Sequence, residues 1–310
     1  MNNFKKIGLT ALAGSLVVTS AFAGELTATG AASIGVSNIT GTADGSYGND
    51  WSMGNSVTLS GSGELDNGLT VTMSMELDAG AENLGGPFDS QSITLASDAL
   101  GTLVFSGHGG SSAQSAMDTT AAGDIWNQTL GITGVTAAAA GNDSLFYTLP
   151  EMMDGLALTA SYSPGAAVGP AHSSFGIAYT GVEGLTLKFA QGDSGEPQLE
   201  VESTTMMASY AIGSFTLSVS NTEANKKGAA NEEVESYQVA YTVSDDISVT
   251  YGSETHDLVG NATDEEVEAI GVSYTTGGMT LTANSYEAKG AGNTAGAVSD
   301  KWALTAAFAF

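Results

Sequence analysis

The sequence predicts an all-β protein: a transmembrane antiparallel up-and-down β-barrel of about sixteen strands. Three observations predict it. Runs of about 7 to 12 residues with period-two alternation recur from residue 25 to residue 310, bounded by Gly, Asn, Asp or Pro. The connections between these runs are alternately short and long, which describes a meander. Aromatic residues gather at the ends of the runs, as in the interfacial girdles of membrane barrels.

The first 23 residues read as a secretory signal peptide. Lys5 and Lys6 precede an apolar run over residues 7–20, and Ala21-Phe22-Ala23 is a small-x-small cleavage site. The apolar run is shorter than the ~20 residues a spanning helix needs. Beyond it no uninterrupted apolar stretch reaches helical spanning length, so any membrane crossing falls to strands.

Each strand places its side chains on two faces. Leu69, Val71, Met73, Met75 and Leu77 share one face, and Thr70, Thr72, Ser74, Glu76 and Asp78 the other. The same pattern sets Leu156, Leu158, Ala160 and Tyr162 against Ala157, Thr159, Ser161 and Ser163. It recurs as Leu185, Leu187 and Phe189 against Thr186, Lys188 and Ala190, and as Phe215, Leu217 and Val219 against Thr216, Ser218 and Ser220. Residues 200–211 and 264–275 alternate poorly. Short connections fall at 64–68, 97–101, 150–155, 181–184, 212–214, 244–246 and 276–278. Longer ones lie near 39–51, 79–90, 108–142, 164–171, 192–199, 223–231, 255–263 and 289–297. All five prolines fall in connections, where no ladder N–H is needed.

A soluble sandwich also alternates, but sandwiches are built with Greek-key crossovers. In lipid only a closed meander satisfies every backbone group. Phe105, Tyr162, Tyr179, Tyr210, Tyr251, Tyr274, Trp302, Phe308 and Phe310 stand at strand ends and supply the girdles.

Composition narrows the function. There is no cysteine, so disulfides, thiolate metal sites and cysteine nucleophiles are excluded. There is no arginine, seven lysines face 34 acidic residues, and the net charge of −27 excludes nucleic acid as a partner. An enzyme would draw on His108, His172 and His256, but none lies in a Gly-x-Ser-x-Gly or His-Glu-x-x-His motif. The segment 107–112 is Gly-rich but lacks the lysine and the strand-to-helix setting of a phosphate loop. A non-enzymatic role follows.

Several segments resemble Gram-negative general diffusion porins, closest in style to the sixteen-stranded alphaproteobacterial (Rhodobacter-type) outer-membrane porins. They are Leu65-Asp66-Asn67-Gly68-Leu69, residues 97–103, residues 142–150, and the last strand with Trp302, Leu304, Ala306, Phe308 and Phe310 alternating. The resemblance spans residues 24–310 in pattern and implies outer-membrane localisation and passive diffusion of small hydrophilic solutes and ions. It implies that Trp302, Phe308 and Phe310 form the signal read by the outer-membrane assembly machinery. It also implies that the connection after the fifth strand (about 102–106), residues 108–142, folds into the barrel and narrows it. A sixteen-strand lumen needs such an insertion if it is to filter solutes.

Residues of the constriction and lumen are then Asp118, Asp124 and His108 on the long loop, with Glu64, Glu76, Asp78 and Lys188 pointing inward from strands. Porins of this family set arginines against the acids of that loop. This chain has none, and Lys188 and Lys301 are the strand lysines whose parity matches the polar face. The lumen should therefore be net acidic and prefer cations. The alternatives are a substrate-specific outer-membrane channel and a surface adhesin or structural β protein. A sugar-specific channel needs a line of inward aromatics, and the parity offers Phe146 and Tyr286. An adhesin needs long loops, and these are mostly short.

No cofactor is indicated, although Glu232-Glu233, Asp245-Asp246 and Asp264-Glu265-Glu266 suit loosely bound Ca²⁺ bridging to lipopolysaccharide. The resemblance implies a homotrimer embedded in outer-membrane lipid. Ala28, Gly30, Ala32, Gly61 and Gly63 on the outer face of the first strands would permit close packing between barrels.

Overall fold

The computed structural model describes residues 26–41, 49–78, 88–135, 143–165, 170–195 and 200–310. The leader 1–23 and the end of the long loop, 136–142, lie outside the described residues. Sixteen strands follow one another: β1 (Leu26–Gly41), β2 (Asp50–Glu64), β3 (Thr70–Asp78), β4 (Ser90–Ser97), β5 (Gly101–His108), β6 (Ser144–Thr148), β7 (Leu156–Ser163) and β8 (His172–Tyr179). The second half is β9 (Leu185–Asp193), β10 (Val201–Ile212), β11 (Phe215–Lys226), β12 (Glu232–Ser244), β13 (Ile247–Leu258), β14 (Glu265–Thr276), β15 (Met279–Lys289) and β16 (Val298–Ala309). Every strand pairs antiparallel with its sequence neighbours, and β1 pairs with β16 to close the barrel. No sheet edge remains, so the backbone of each strand is satisfied inside the sheet.

The short turns are closed by residues that suit them. In the β2–β3 turn Gly68 takes φ 80°, and the Asn67 side chain accepts the Leu69 N–H at 3.2 Å.

Register fixes which face each side chain meets. Thr72 stands beside Ser62 and Thr94 on the lumen side, and Met73 beside Gly61 and Ile93 on the outside. Outward positions carry an apolar band with Tyr179, Tyr210, Phe215, Tyr241, Tyr274 and Phe308 toward the short-turn end. Phe105, Tyr162, Tyr237, Tyr251 and Trp302 lie further up. Trp302 and Phe310 stand about 20 Å apart along the axis, taking about 3.3 Å per residue and a tilt of about 40°. That approaches the height of about 25 Å typical of the lipid-facing band.

Above the band the outer face changes character on one side only. On β9–β16 the outward positions near the long-loop end are acidic. Glu223, Glu233 and Asp257 are cross-strand neighbours, as are Glu268, Glu287 and Asp300, while Asp193 pairs with Glu202. Charges on the lipid face cost little only near the interface, so these carboxylates form a collar at the rim. The described outward positions of β1–β8 carry no carboxylate. The collar explains why 200–211 and 264–275 alternate poorly: β10 and β14 leave the apolar band before they end, and Glu202, Glu266 and Glu268 occupy outward positions where lower in the strand an apolar residue would stand.

Candidate functional site

The connection between β5 and β6, here L3, folds into the barrel and runs along the inner wall. Its path is written in hydrogen bonds to successive strands. The Ala113 N–H donates to Ser161 Oγ on β7 at 3.0 Å, and the Gln114 N–H to Ser174 Oγ on β8 at 3.2 Å. Gln114 Nε2 reaches Thr205 Oγ1 on β10 at 3.2 Å. The Ala121 and Ala122 N–H groups donate to Ser220 Oγ on β11 and Ser236 Oγ on β12 at 2.7 and 2.9 Å. Glu254 on β13 and Glu265 on β14 accept further loop N–H groups, and Lys301 Nζ on β16 donates to the Gln128 carbonyl at 3.1 Å. Inward serines thus satisfy the loop N–H groups that are turned to the wall and buried away from lumen water.

The wall beneath L3 is made of small residues, which leaves room for the loop. A Cβ at Gly176 would lie 2.8 Å from Met117 Cε, and one at Gly252 would lie 2.7 Å from Ala122 Cβ. Where the loop meets β13–β15, Ile125, Leu130 and Ala122 pack with Val267, Tyr286 and Ala288 into a small apolar core. Tyr286 is consequently covered by the loop, leaving Phe146 as the lumen-side aromatic of the two that parity singles out.

L3 is folded locally by its own polar side chains. The Thr120 N–H donates to Asp124 Oδ1 at 3.0 Å and the Asp124 N–H to Thr120 Oγ1 at 2.7 Å, a reciprocal pair around Asp124 at φ 56°. Asp118 accepts from Gln114 Nε2 at 3.5 Å. Burial, reinforced by the neighbouring Asp124 carboxylate, pushes the Asp118 carboxyl up to about 6. The two loop acids therefore sit close enough to feel one another.

The other candidate residues spread along the lumen. His108 ends β5, and its ring Nδ1 contacts the Asp89 carbonyl oxygen beside the root of L3. Glu76 is nearby on β3, taking a hydrogen bond from Ser90 Oγ at 3.3 Å, and Asp78 pairs with Ser56 two residues above it. Glu64 closes β2 at the short-turn end, away from L3. Lys188 on β9 lies between Ala178 and Met207, two residues along the strand from Ala190, which pairs with the Thr205 that meets Gln114.

One correction concerns the lysines. β11 extends to Lys226, whose parity is inward, so a third strand lysine faces the lumen side; it forms an ion pair with Glu232. Lys301 is engaged with Gln128. The wall facing the loop, on β1–β4, is lined by hydroxyls such as Ser33, Ser56, Thr58, Ser60, Thr72 and Ser74, together with Glu76 and Asp78.

Sequence reasoning missed Glu254 and Glu265, which bind L3 most closely. Parity puts both inward, but so it does every second residue. The recoverable signal was the run of inward Gly, Ala and Ser on β8–β12, which marks a wall something else must cover. Trp302 and Phe308 stand outward on β16, and Phe310 directly follows its last residue. Among described residues, Asp193, Glu200 and Glu202 form a group of three carboxylates within 4.8 Å of one another.

A closed sixteen-strand barrel with an apolar outer band, a polar lumen and a loop laid inside it defines an outer-membrane channel protein. A sequence profile of Gram-negative porins matches residues 8–309, and the chain belongs to that family. Among curated proteins none matches it. Solved structures with this fold include the anion-selective porin from Comamonas acidovorans, at 15% identity over 92% of this chain and 99% of that one, TM-score 0.66. Outer-membrane expressed OmpT of Vibrio cholerae matches at 14% identity over 94% and 99%, TM-score 0.69. A mutant of Rh. blastica porin matches at 13% identity over 92% and 100%, TM-score 0.68. At such identities the likeness is one of fold.

Proposed function

We propose that this porin is a cation-preferring passive diffusion channel, constricted by L3 and without a catalytic step. The observation that carries the reading is the charge lining the lumen. Asp118, Asp124, Glu64, Glu76 and Asp78 are acidic, Lys226 is paired with Glu232, and Lys301 is engaged by Gln128, leaving Lys188 as the amine set against them. A lumen of one sign concentrates counter-ions. The anion-selective Comamonas porin shares the fold, so the reading rests on the lining residues of this chain and not on the fold.

The reading includes a homotrimer. A trimer form is known for OmpT of Vibrio cholerae, and the carboxylate-free outer sector of β1–β8 here suits contact with other copies. The acidic sector would then face lipopolysaccharide, with loosely held Ca²⁺ bridging carboxylates to lipid phosphates. The signal peptide over residues 1–23 and recognition of the β16 aromatic ladder by the assembly machinery complete the proposal.

Planar-bilayer recording tests it. Conductance steps in multiples of three, with a cation-selective reversal potential across a KCl gradient, support the reading. Anion selectivity overturns the charge argument, and absence of steps from folded protein overturns the open channel.

A further inference from the structure

What holds L3 against the wall is a separate question, and its answer rests on the channel reading. Glu254 sits on the lumen face of β13 between Ser236 and Val267, with 0% exposure. Its carboxylate accepts from the Thr120 hydroxyl, from the Ile125 N–H at 3.2 Å and from the Trp126 N–H at 2.9 Å, and His256 Nε2 lies 3.5 Å from it. A carboxylate withdrawn from water is tolerated only when donors replace its hydration. Here three donors come from one short stretch of L3, so the charge needs the loop as much as the loop needs the charge.

Glu265, 1% exposed, makes a second such contact. It accepts the Thr133 N–H of L3 at 2.7 Å and the Asn293 N–H of the last loop at 3.1 Å, while the Gly292 N–H reaches the Gly131 carbonyl at 3.1 Å. Between the two carboxylates the Trp126 ring meets His256 edge-on, centroids 6.2 Å apart. The contacts to Ser161, Ser174, Ser220 and Ser236 are neutral and individually weaker.

We propose that Glu254 is the positioning residue that fixes L3 to the wall and thereby sets the open width of the channel, with Glu265 clamping L3 and the last loop together. Because Glu254 does not face the solution, its loss should show first in the mobility of L3 and in the conductance level.

The test uses the purified, folded full-length protein and its variants Glu254→Gln, Thr120→Val and Glu265→Gln, read by hydrogen exchange of segment 120–126 for the first two and of segment 131–134 for the third, and by single-channel recording. Glu254→Gln should speed exchange of the Ile125 and Trp126 amides by about tenfold or more, the worth of one charged hydrogen bond. It should also break the single conductance level into fluctuating levels, with a smaller shift in reversal potential than neutralising Glu76 and Asp78 together. Thr120→Val, which keeps the carboxylate and removes one donor, should give a smaller change of the same kind. Wild-type exchange and steady conductance in folded Glu254→Gln overturn the proposal, as does a shifted reversal potential without faster exchange. If Glu254→Gln yields no SDS-resistant barrel, Thr120→Val and Glu265→Gln carry the same readouts, and no change in either overturns it. Faster exchange in a protein whose wild type never conducts would refute the channel reading and spare the clamp.

Discussion

Phe310 closes the barrel against Gly30. The Gly30 N–H donates to the Phe310 carbonyl at 2.7 Å, the Phe310 N–H returns to the Gly30 carbonyl at 3.0 Å, and the aromatic ring occupies the space a Cβ at residue 30 would need. The small residue on β1 thus serves closure within one chain, a role distinct from the packing between barrels its composition suggests. Gly30→Leu should misplace the ring and cost about 1–3 kcal/mol, the range for overpacking. Heat-modifiable mobility on gels and the rate of barrel formation in detergent measure it, and Phe310→Ala in the same background should relieve the clash.

Selectivity should fall with acidification. The Asp118 carboxyl, pushed up to about 6, is charged at pH 8 and largely neutral at pH 5, so the lumen loses a negative charge between those values. The raised value also means that the folded chain favours the protonated form, so any stability effect of this group runs toward greater stability as pH drops. Reversal potentials in a KCl gradient should show cation preference declining through pH 6, and Asp118→Asn should flatten that decline.

Lumen charges should act additively and with opposite signs. An ion passing about 8 Å from a charge in water gains about 0.5 kcal/mol, roughly a twofold change in occupancy. Glu76→Gln with Asp78→Asn should therefore lower the K⁺/Cl⁻ permeability ratio several-fold, and Lys188→Gln should raise it. A ratio insensitive to all three would place the selectivity outside the lumen.

The space under L3 should be intolerant of bulk. Gly252→Leu, at a position where even a Cβ would lie 2.7 Å from Ala122 Cβ, should force the loop inward. Conductance should drop while the reversal potential holds. Unchanged conductance would mean that the loop does not bound the pore.

Removing divalent cations should loosen the outer face from lipopolysaccharide. EDTA should release lipopolysaccharide from the wild-type protein, whereas a variant in which Glu223, Glu233 and Glu268 are glutamine should carry less at the outset and lose little more to EDTA. Equal release from both would remove the collar from lipid binding.

The sequence by itself determined the barrel. Alternation such as Met73, Met75 and Leu77 against Thr72, Ser74 and Glu76 is a local property, because successive strand residues must face opposite sides and lipid accepts only one of them. The alternating connections then set the sixteen-strand meander that β1 and β16 close. What the sequence left open was everything that depends on two distant segments meeting. Glu254 looks like one more inward acid until Trp126 is laid across it, and Gly30 looks like packing surface until Phe310 arrives from the other end of the chain. Lys226 reads as loop until β11 continues into the rim. Periodicity records which side of a sheet a residue faces; the curvature of the closed barrel and the course of L3 decide what it faces there.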